Sequence, residues 1–439
     1  MTHRLAAPLC ALVLAVAACE TVEQVMDHYR DLTPHEAYVQ SLRDAGLEGT
    51  ALVRDWLEAG RRAVQSPLPV DLPFREEGFI APDEAGAVGY RFAVERGQAL
   101  TVRLSVESDD SARVFLDLFR IPTDSTGALR PVTTADTLAD GLVYEPWRDG
   151  EYVVRVQPEL LRGGHYVLTL TLDAALGFPV EGRDAGAIQS FFGAERDGGV
   201  RSHHGVDIFA PRGTPALAAA EGVIRRVRVT TLGGKVVWIR DARRNESLYY
   251  AHLDSQAVGS GDRVQVGDTV GFIGNTGNAR TTLPHLHFGI YRRGEGPVDP
   301  LPFIRKPPGE LAELTADARV LGSWARVPAG GIHLRRSPTT RSDVVARLDR
   351  FVPFRVLGGS AAWFRVRLPD GQVGWVAARL AEPVDGPVRS TVAAARATIQ
   401  ARPAPTAPVV EPVEAGASLP VLGEFGGYLL VEGPGGRRG

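Results

Sequence analysis

The chain reads as mainly β and divided into several domains, and three observations carry that expectation. Residues 72–173 alternate apolar and polar side chains with a period of two, broken by Gly-Gln, Asp-Gly and Gly-Gly turns. The segment Leu283-Pro284-His285-Leu286-His287-Phe288-Gly289-Ile290-Tyr291 alternates in the same way, as on a half-buried strand. Towards the end the chain repeats itself, because Pro338, Gly358 and Gly374 are answered by Pro403, Gly423 and Gly439 at a constant offset of 65 residues. A chain of 439 residues with 44% hydrophobic composition can bury several such cores.

The elements follow in order. Met1-Thr2-His3-Arg4 is a short basic start, residues 5–16 are apolar, and Val16-Ala17-Ala18-Cys19 ends the run. This is too short and wrongly flanked for a membrane span and reads as an export signal. Its last four residues resemble a bacterial lipobox, which implies a lipoprotein signal over residues 1–19, cleavage before Cys19 and a lipid on the Cys19 sulfur. The expectation is an exported protein, lipid-anchored to a bacterial membrane on its periplasmic or cell-surface side. Cys10, the only other cysteine, lies inside the signal, so the mature chain has no disulfide. No second apolar run approaches spanning length. A net charge of −3 leaves no basic footprint for nucleic acid.

Residues 20–69 have helical character, with Tyr38, Leu42, Leu47, Leu57 and Ala63 as an apolar stripe and Thr33-Pro34-x-Glu36 as a start signal. Residues 70–175 carry strand patterns at 90–94, 100–104, 114–118, 152–156 and 166–170, the signature of a β-sandwich. Their texture resembles the bacterial pre-peptidase domains that accompany secreted proteases. Chemistry is not assigned to them.

Chemistry concentrates in residues 182–305. Five of the ten histidines fall between His203 and His287: His203 and His204 in His203-His204-Gly205-Val206-Asp207, a lone His252, and the pair His285 and His287. Imidazole and carboxylate hold zinc while leaving a position open for water, so the cluster reads as a zinc site in a hydrolase. Side chains two apart on a strand share a face, so His285 and His287 enter one cleft while Leu286 and Phe288 pack behind. That arrangement suits one ligand and one neighbouring catalytic group. His203 and Asp207 are four apart, but Gly205 and the following Val206-Asp207-Ile208-Phe209 favour a turn entering a strand over a helix. His204 reads as solvent-facing, and His28, His35, His165 and His333 as structural. The glycine-rich stretch from Gly271 to Gly277 lacks the Gly-Lys-Ser/Thr ending of a phosphate loop and reads as a turn.

His-x-Gly-x-Asp, then Ala210-Pro211-Arg212-Gly213-Thr214-Pro215, Gly222-Val223-Ile224, Tyr250-Ala251-His252-Leu253, Gly271-Phe272-Ile273-Gly274-Asn275-Thr276-Gly277 and His285-Leu286-His287-Phe288 occur in an order that resembles the lysostaphin-type, or LytM-like, zinc metallopeptidases. The resemblance implies an antiparallel β-sheet with a groove for an extended peptide and one zinc ion. It implies His203, Asp207 and His287 as metal ligands and His252 and His285 as unligated catalytic histidines. The family's usual reaction is hydrolysis of peptide bonds in the cross-links or stems of peptidoglycan. One departure is Asn278-Ala279-Arg280-Thr281-Thr282-Leu283-Pro284 where the family often has a Ser-Thr-Gly-type turn, and it bears on substrate preference. Three protein ligands leave a fourth zinc position for water, whose pKa falls from about 15.7 to near 7. A neutral imidazole can then accept the proton of that water, and a second can stabilise the tetrahedral oxyanion or protonate the leaving amine.

Residues 302–308 read as a proline-rich linker. Residues 318–383, with Leu334-Arg335-Arg336-Ser337-Pro338 and Gly371-Gln372-Val373-Gly374-Trp375-Val376, resemble a bacterial Src-homology-3-like domain, a type of small barrel that in wall hydrolases often binds peptidoglycan peptides. Residues 388–439 repeat it but stop before the expected Trp-Val strand, so this second barrel is expected to be incomplete, with an open edge. The reading is an exported zinc endopeptidase with peptidoglycan as substrate and other cell-wall enzymes as partners. Two rivals stand beside it: a non-catalytic LytM-like activator or scaffold, which the intact set of five residues opposes, and an extracellular protease of glycine-rich proteins.

Overall fold

The structure is a computed structural model that describes residues 32–107, 113–123, 128–136 and 141–439. Cys19 and the whole of the expected signal lie outside the described residues. Among those described, no helix is long and apolar enough to cross a membrane. The architecture is mainly β, with antiparallel sheets.

Two helices open it, α1 (Pro34–Asp44) and α2 (Ala51–Gln65). Thr33 and Glu36 form a reciprocal capping box at the start of α1, and the Thr50 side chain accepts from the Val53 N–H at the start of α2. Leu42, Val53 and Trp56 bury against Phe115 of the following domain, and the Trp56 indole N–H donates to the Pro158 carbonyl at 2.7 Å. The anchor is therefore Trp56, which the expected apolar stripe left out, while Leu47 from that stripe is exposed.

The next domain is a sandwich. One sheet runs Leu68–Pro69, Val88–Val94, Gly150–Pro158, Val114–Ile121, Arg130–Asp136; the other contains Phe74–Ile80, Gly164–Ala174, Gln98–Glu107 and Leu142–Tyr144. Alternate residues, among them Tyr90, Leu100, Leu116, Val154 and Leu168, fill the space between the sheets. The second sheet does not stop at the domain boundary. Phe74–Ile80 pairs antiparallel with Pro353–Ser360 of the first barrel, Glu77 opposite Gly359 and Gly78 opposite Gly358. Trp375 of that barrel is buried in the sandwich core, edge-on to Phe74.

Between these two halves, from about Leu176 to Ile304, the chain forms a separate unit with its own core. Its main sheet has the strand order Ile188–Ser190, Val206–Phe209, His285–Arg292, Glu246–Gln256, Gly234–Asp241, Gly222–Thr230, Arg263–Val264, all antiparallel. A short helix, α3 (Leu301–Ile304), buries Phe303 and Ile304 in this core, and the Leu176 N–H donates to the Phe303 carbonyl at 2.8 Å. The stretch expected as a linker thus begins as core, since the adjacent apolar side chains of Phe303 and Ile304 have a surface to cover. The unit meets the sandwich through Arg244, which bridges Glu145 and Asp241 at 2.7 Å each, and through Arg292, held between the rings of Trp147 and Phe303.

The internal repeat is visible strand by strand. Ile332–Arg335, Val344–Leu348 and Pro353–Ser360 recur 65 residues later as Ala397–Gln400, Val409–Val413 and Ser418–Phe425. Val366 pairs with Gly374 in the first barrel, and in the second Val431 and Gly439 exchange two backbone hydrogen bonds of 3.0 and 3.2 Å. The edge expected to be open beside Val431 is therefore paired at that point by Gly439.

Candidate metal centre

Strand register brings the site together. Val206–Phe209 pairs antiparallel with His285–Arg292 so that Asp207 faces His287 and Phe209 faces His285, and His287 in turn faces Ala251 on the third strand. Directly opposed residues share a face, so the Asp207 and His287 side chains meet, with His285 two positions along. Leu286 and Phe288 are fully buried on the reverse side, as the alternation predicts. His203 comes from the turn before Val206, and that turn lies close on the sheet: a Cβ at Gly205 would stand 2.3 Å from the Phe288 carbonyl and 2.9 Å from the His287 ring. Glycine is required there by close approach.

Three atoms converge. His203 Nε2 is 3.0 Å from Asp207 Oδ1 and 2.9 Å from His287 Nδ1, and His287 Nδ1 is 3.0 Å from Asp207 Oδ1. Donors at about 2.0–2.1 Å around a tetrahedral ion lie about 3.3 Å apart, so a small shift accommodates one. Protons serve this triangle poorly: one carboxylate oxygen and two ring nitrogens sit within contact of each other, and each proton satisfies one edge. Among the described residues this is the one cluster of three or more His, Cys, Asp or Glu side chains with metal-ligand geometry. Burial alone would raise the Asp207 pKa, but His203 and His287 close against the carboxyl outweigh it and hold it well below the usual range. Burial lowers His287 despite Asp207 beside it, keeping the imidazole in its neutral, coordinating form.

The other ring nitrogens are tied. His203 Nδ1 lies 2.9 Å from the Phe191 carbonyl, so Nδ1 carries the proton and Nε2 offers its lone pair. His252 and His285 are arranged alike, their Nδ1 atoms 2.9 Å from the Thr276 carbonyl and 2.8 Å from the Leu283 carbonyl. The two rings meet edge to face at 5.0 Å, and His252 lies 5.9 Å from His287. His252 has a φ of +63°, a left-handed conformation costly for a non-glycine residue and typical of functional positions. Its N–H donates to the Gly233 carbonyl at 2.8 Å, which holds the backbone there. Burial, with His285 and His287 adding to it, lowers the His252 pKa to about 4, so the ring is neutral at pH 7 and able to accept a proton.

All five singled-out residues, His203, Asp207, His252, His285 and His287, thus share one cleft, and His204 points to solvent. Tyr249 lies edge-on to His287 at 5.7 Å and packs at a tilt against Trp238, 4.4 Å away, on one wall. On the other, Phe209 stacks on His285 and opens into a groove of about 620 Å³ lined by Arg183, Gln189, Pro211, Leu283 and Pro284. Two residues escaped the sequence reading: Arg196, whose Nη2 donates to Asp207 Oδ2 at 2.8 Å, and Ser190, whose hydroxyl accepts from the same Nη2 at 2.6 Å. Nothing in a lone Arg seven positions before His203 marks it, since a two-stranded hairpin, Glu195–Arg196 with Arg201–Ser202, folds it back.

Residues 201–300 match the family described as Peptidase family M23. The central unit is a peptidase M23 domain. Residues 330–382 match the bacterial SH3 domain family. Among curated proteins the chain is 40% identical over 97 residues to the peptidoglycan DD-endopeptidase ShyC of Vibrio cholerae, covering 22% of each chain. It is 36% identical over 139 residues to the L-Ala--D-Glu endopeptidase of Bacillus subtilis, covering 29% of this chain and 42% of that one. Against solved structures, the catalytic domain of lysostaphin from Staphylococcus simulans is 31% identical, covering 26% of this chain and 90% of that one with a TM-score of 0.24. The chain spans less than half the length of these two curated relatives.

Proposed function

We propose that this protein is an exported zinc endopeptidase that hydrolyses peptide bonds in peptidoglycan cross-links or stem peptides. The observation that carries the reading is the convergence of His203 Nε2, Asp207 Oδ1 and His287 Nδ1 within 3.0 Å of each other, with His252 and His285 beside them. Two imidazoles and one carboxylate are a catalytic zinc set, short of one ligand so that water or substrate can enter. Zinc held there supplies Lewis acidity, polarising a carbonyl and bringing the pKa of water near 7.

The chain's own residues do the rest. His252 and His285 each commit Nδ1 to a backbone carbonyl, of Thr276 and of Leu283, which leaves Nε2 as the ring nitrogen that exchanges a proton. One accepts the proton of the attacking water, and the other, once protonated, stabilises the tetrahedral oxyanion or gives its proton to the leaving amine. Tyr249 and Phe209 wall the cleft on either side, and the groove beyond Phe209 gives an extended peptide room along the sheet. The relatives named as a peptidoglycan DD-endopeptidase and an L-Ala--D-Glu endopeptidase support the choice of substrate. A lipid on Cys19 would hold the enzyme at a membrane facing the wall.

The test is digestion of purified peptidoglycan by the chain lacking residues 1–19, with fragments read by mass spectrometry. New peptide termini that disappear with a chelator and in His287→Ala support the proposal and name the bond. Intact walls of several cross-link chemistries after treatment with folded, zinc-loaded protein overturn it.

A further inference from the structure

Asp207 uses its two oxygens differently. Oδ1 faces His203 and His287, both at 3.0 Å, while Oδ2 turns away and accepts from Arg196 Nη2 at 2.8 Å. The same Nη2 reaches Ser190 Oγ at 2.6 Å, and Ser190 Oγ is 3.3 Å from His203 Nδ1. One guanidinium thus joins the outer sides of two of the three donor residues.

We propose that Arg196 is a positioning residue that holds Asp207 as a one-oxygen metal ligand and so keeps a coordination position free for water or substrate. This rests on the metal reading of the site. A carboxylate beside a divalent ion can offer one oxygen or chelate with both, and chelation would require Oδ2 to leave the guanidinium for the ion. Arg is suited to prevent this, because its charge is permanent and the two N–H groups of its planar Nη2 point in fixed directions, to the carboxylate and to the hydroxyl. Lys at this position could keep the charge, but on a flexible stem with rotating donors in place of fixed directions. Groups behind metal ligands commonly change metal affinity by about 10–100-fold when removed. Arg196 reaches this place from the short hairpin before His203, outside the sheet that carries Asp207 and His287.

The experiment compares unmodified protein with Arg196→Met, Arg196→Lys and Ser190→Ala. Zinc affinity is measured by competition with a chromophoric chelator, and the cobalt(II)-substituted proteins are read by visible absorption, which is intense for four-coordinate cobalt and weak for higher coordination. Expected are a loss of about 10–100-fold in zinc affinity and a weakened cobalt band for Arg196→Met, with smaller changes for Arg196→Lys and Ser190→Ala. If Arg196→Met does not fold, the other two variants carry the same comparison. Zinc affinity within about twofold of the unmodified protein and an unchanged cobalt spectrum overturn the inference alone. Failure of the unmodified protein to bind zinc overturns it together with the metal reading. Unchanged affinity with faster turnover in Arg196→Met also overturns it, by showing Arg196 to be an obstacle in the cleft.

Discussion

Arg365 and Glu76 are 289 residues apart and form a buried ion pair, Nη2 to Oε1 at 2.9 Å, between the first barrel and the sandwich. Tyr90 donates to the same carboxylate at 2.7 Å, as does Tyr166, so the charge is both paired and hydrogen-bonded. A Cβ at Gly358 would stand 2.6 Å from Glu76 Oε1, so glycine lets the two strands close over the pair. The barrel and the sandwich share one sheet around the inserted M23 domain, so they are bound as a structural unit and not only strung along the chain.

Breaking this pair from one side is therefore costly. Arg365→Met leaves Glu76 charged and unpaired and is expected to destabilise the sandwich and first barrel by roughly 3–5 kcal/mol. Adding Glu76→Gln recovers part of the loss. Chemical unfolding of the four members of the double-mutant cycle checks the coupling, and additive effects would contradict it.

His35 stacks on Trp56 at 5.0 Å, with its Nε2 3.0 Å from Gln157 Oε1. Burial, aided by the Arg155 charge, lowers its pKa to about 4. The unfolded chain takes up this proton near pH 6.5, so it binds more protons than the folded state between those values. Stability is full above pH 6.5 and falls as pH drops towards 4, by up to about 3 kcal/mol. Hydrogen exchange of residues 34–65 should speed up between pH 7 and 5 after correction for intrinsic rates, and His35→Gln should flatten the trend.

Gly205→Ala forces a methyl against the Phe288 carbonyl and the His287 ring. The turn must lift, taking His203 from Asp207 and His287. Zinc affinity is expected to fall by more than about tenfold, as for loss of a group that orients a ligand, while the strand cores remain folded. Chelator competition and far-ultraviolet circular dichroism read the two effects separately.

His252 and His285 lie beside the three donors but not among them. His252→Ala and His285→Ala are expected to retain zinc and lose about 10²–10⁴-fold in turnover, the usual contribution of a positioned acid or base. Metal analysis alongside initial rates checks this. A variant that loses its zinc would belong to the ligand set instead.

Much of this was legible from local pattern. The alternation around His285 and His287 foretold which side chains share the cleft, and the 65-residue offset recurs in strand bounds such as Pro353–Ser360 and Ser418–Phe425. Strand periodicity and internal repeats are properties of neighbouring residues, so a sequence displays them. What stayed hidden depends on pairing between distant segments. Glu76 and Arg365 carry no local signal, because they meet only when Phe74–Ile80 pairs with Pro353–Ser360. Trp375 read as a barrel residue, yet it fills the sandwich core. Arg196 has no local signal because the hairpin that returns it to Asp207 is only two residues deep on each side. The left-handed backbone of His252 arises from its bond to Gly233 and the irregular register beside it, which composition does not record.

The most direct measurement is a zinc titration of chelator-stripped protein, following the release of new amino termini from purified peptidoglycan. Hydrolysis rising from nothing and levelling at one zinc per chain, with no response in Asp207→Ala, is the predicted result. Hydrolysis that persists in the metal-free protein, or is equal in Asp207→Ala, would contradict the assignment of His203, Asp207 and His287 as the centre of the chemistry.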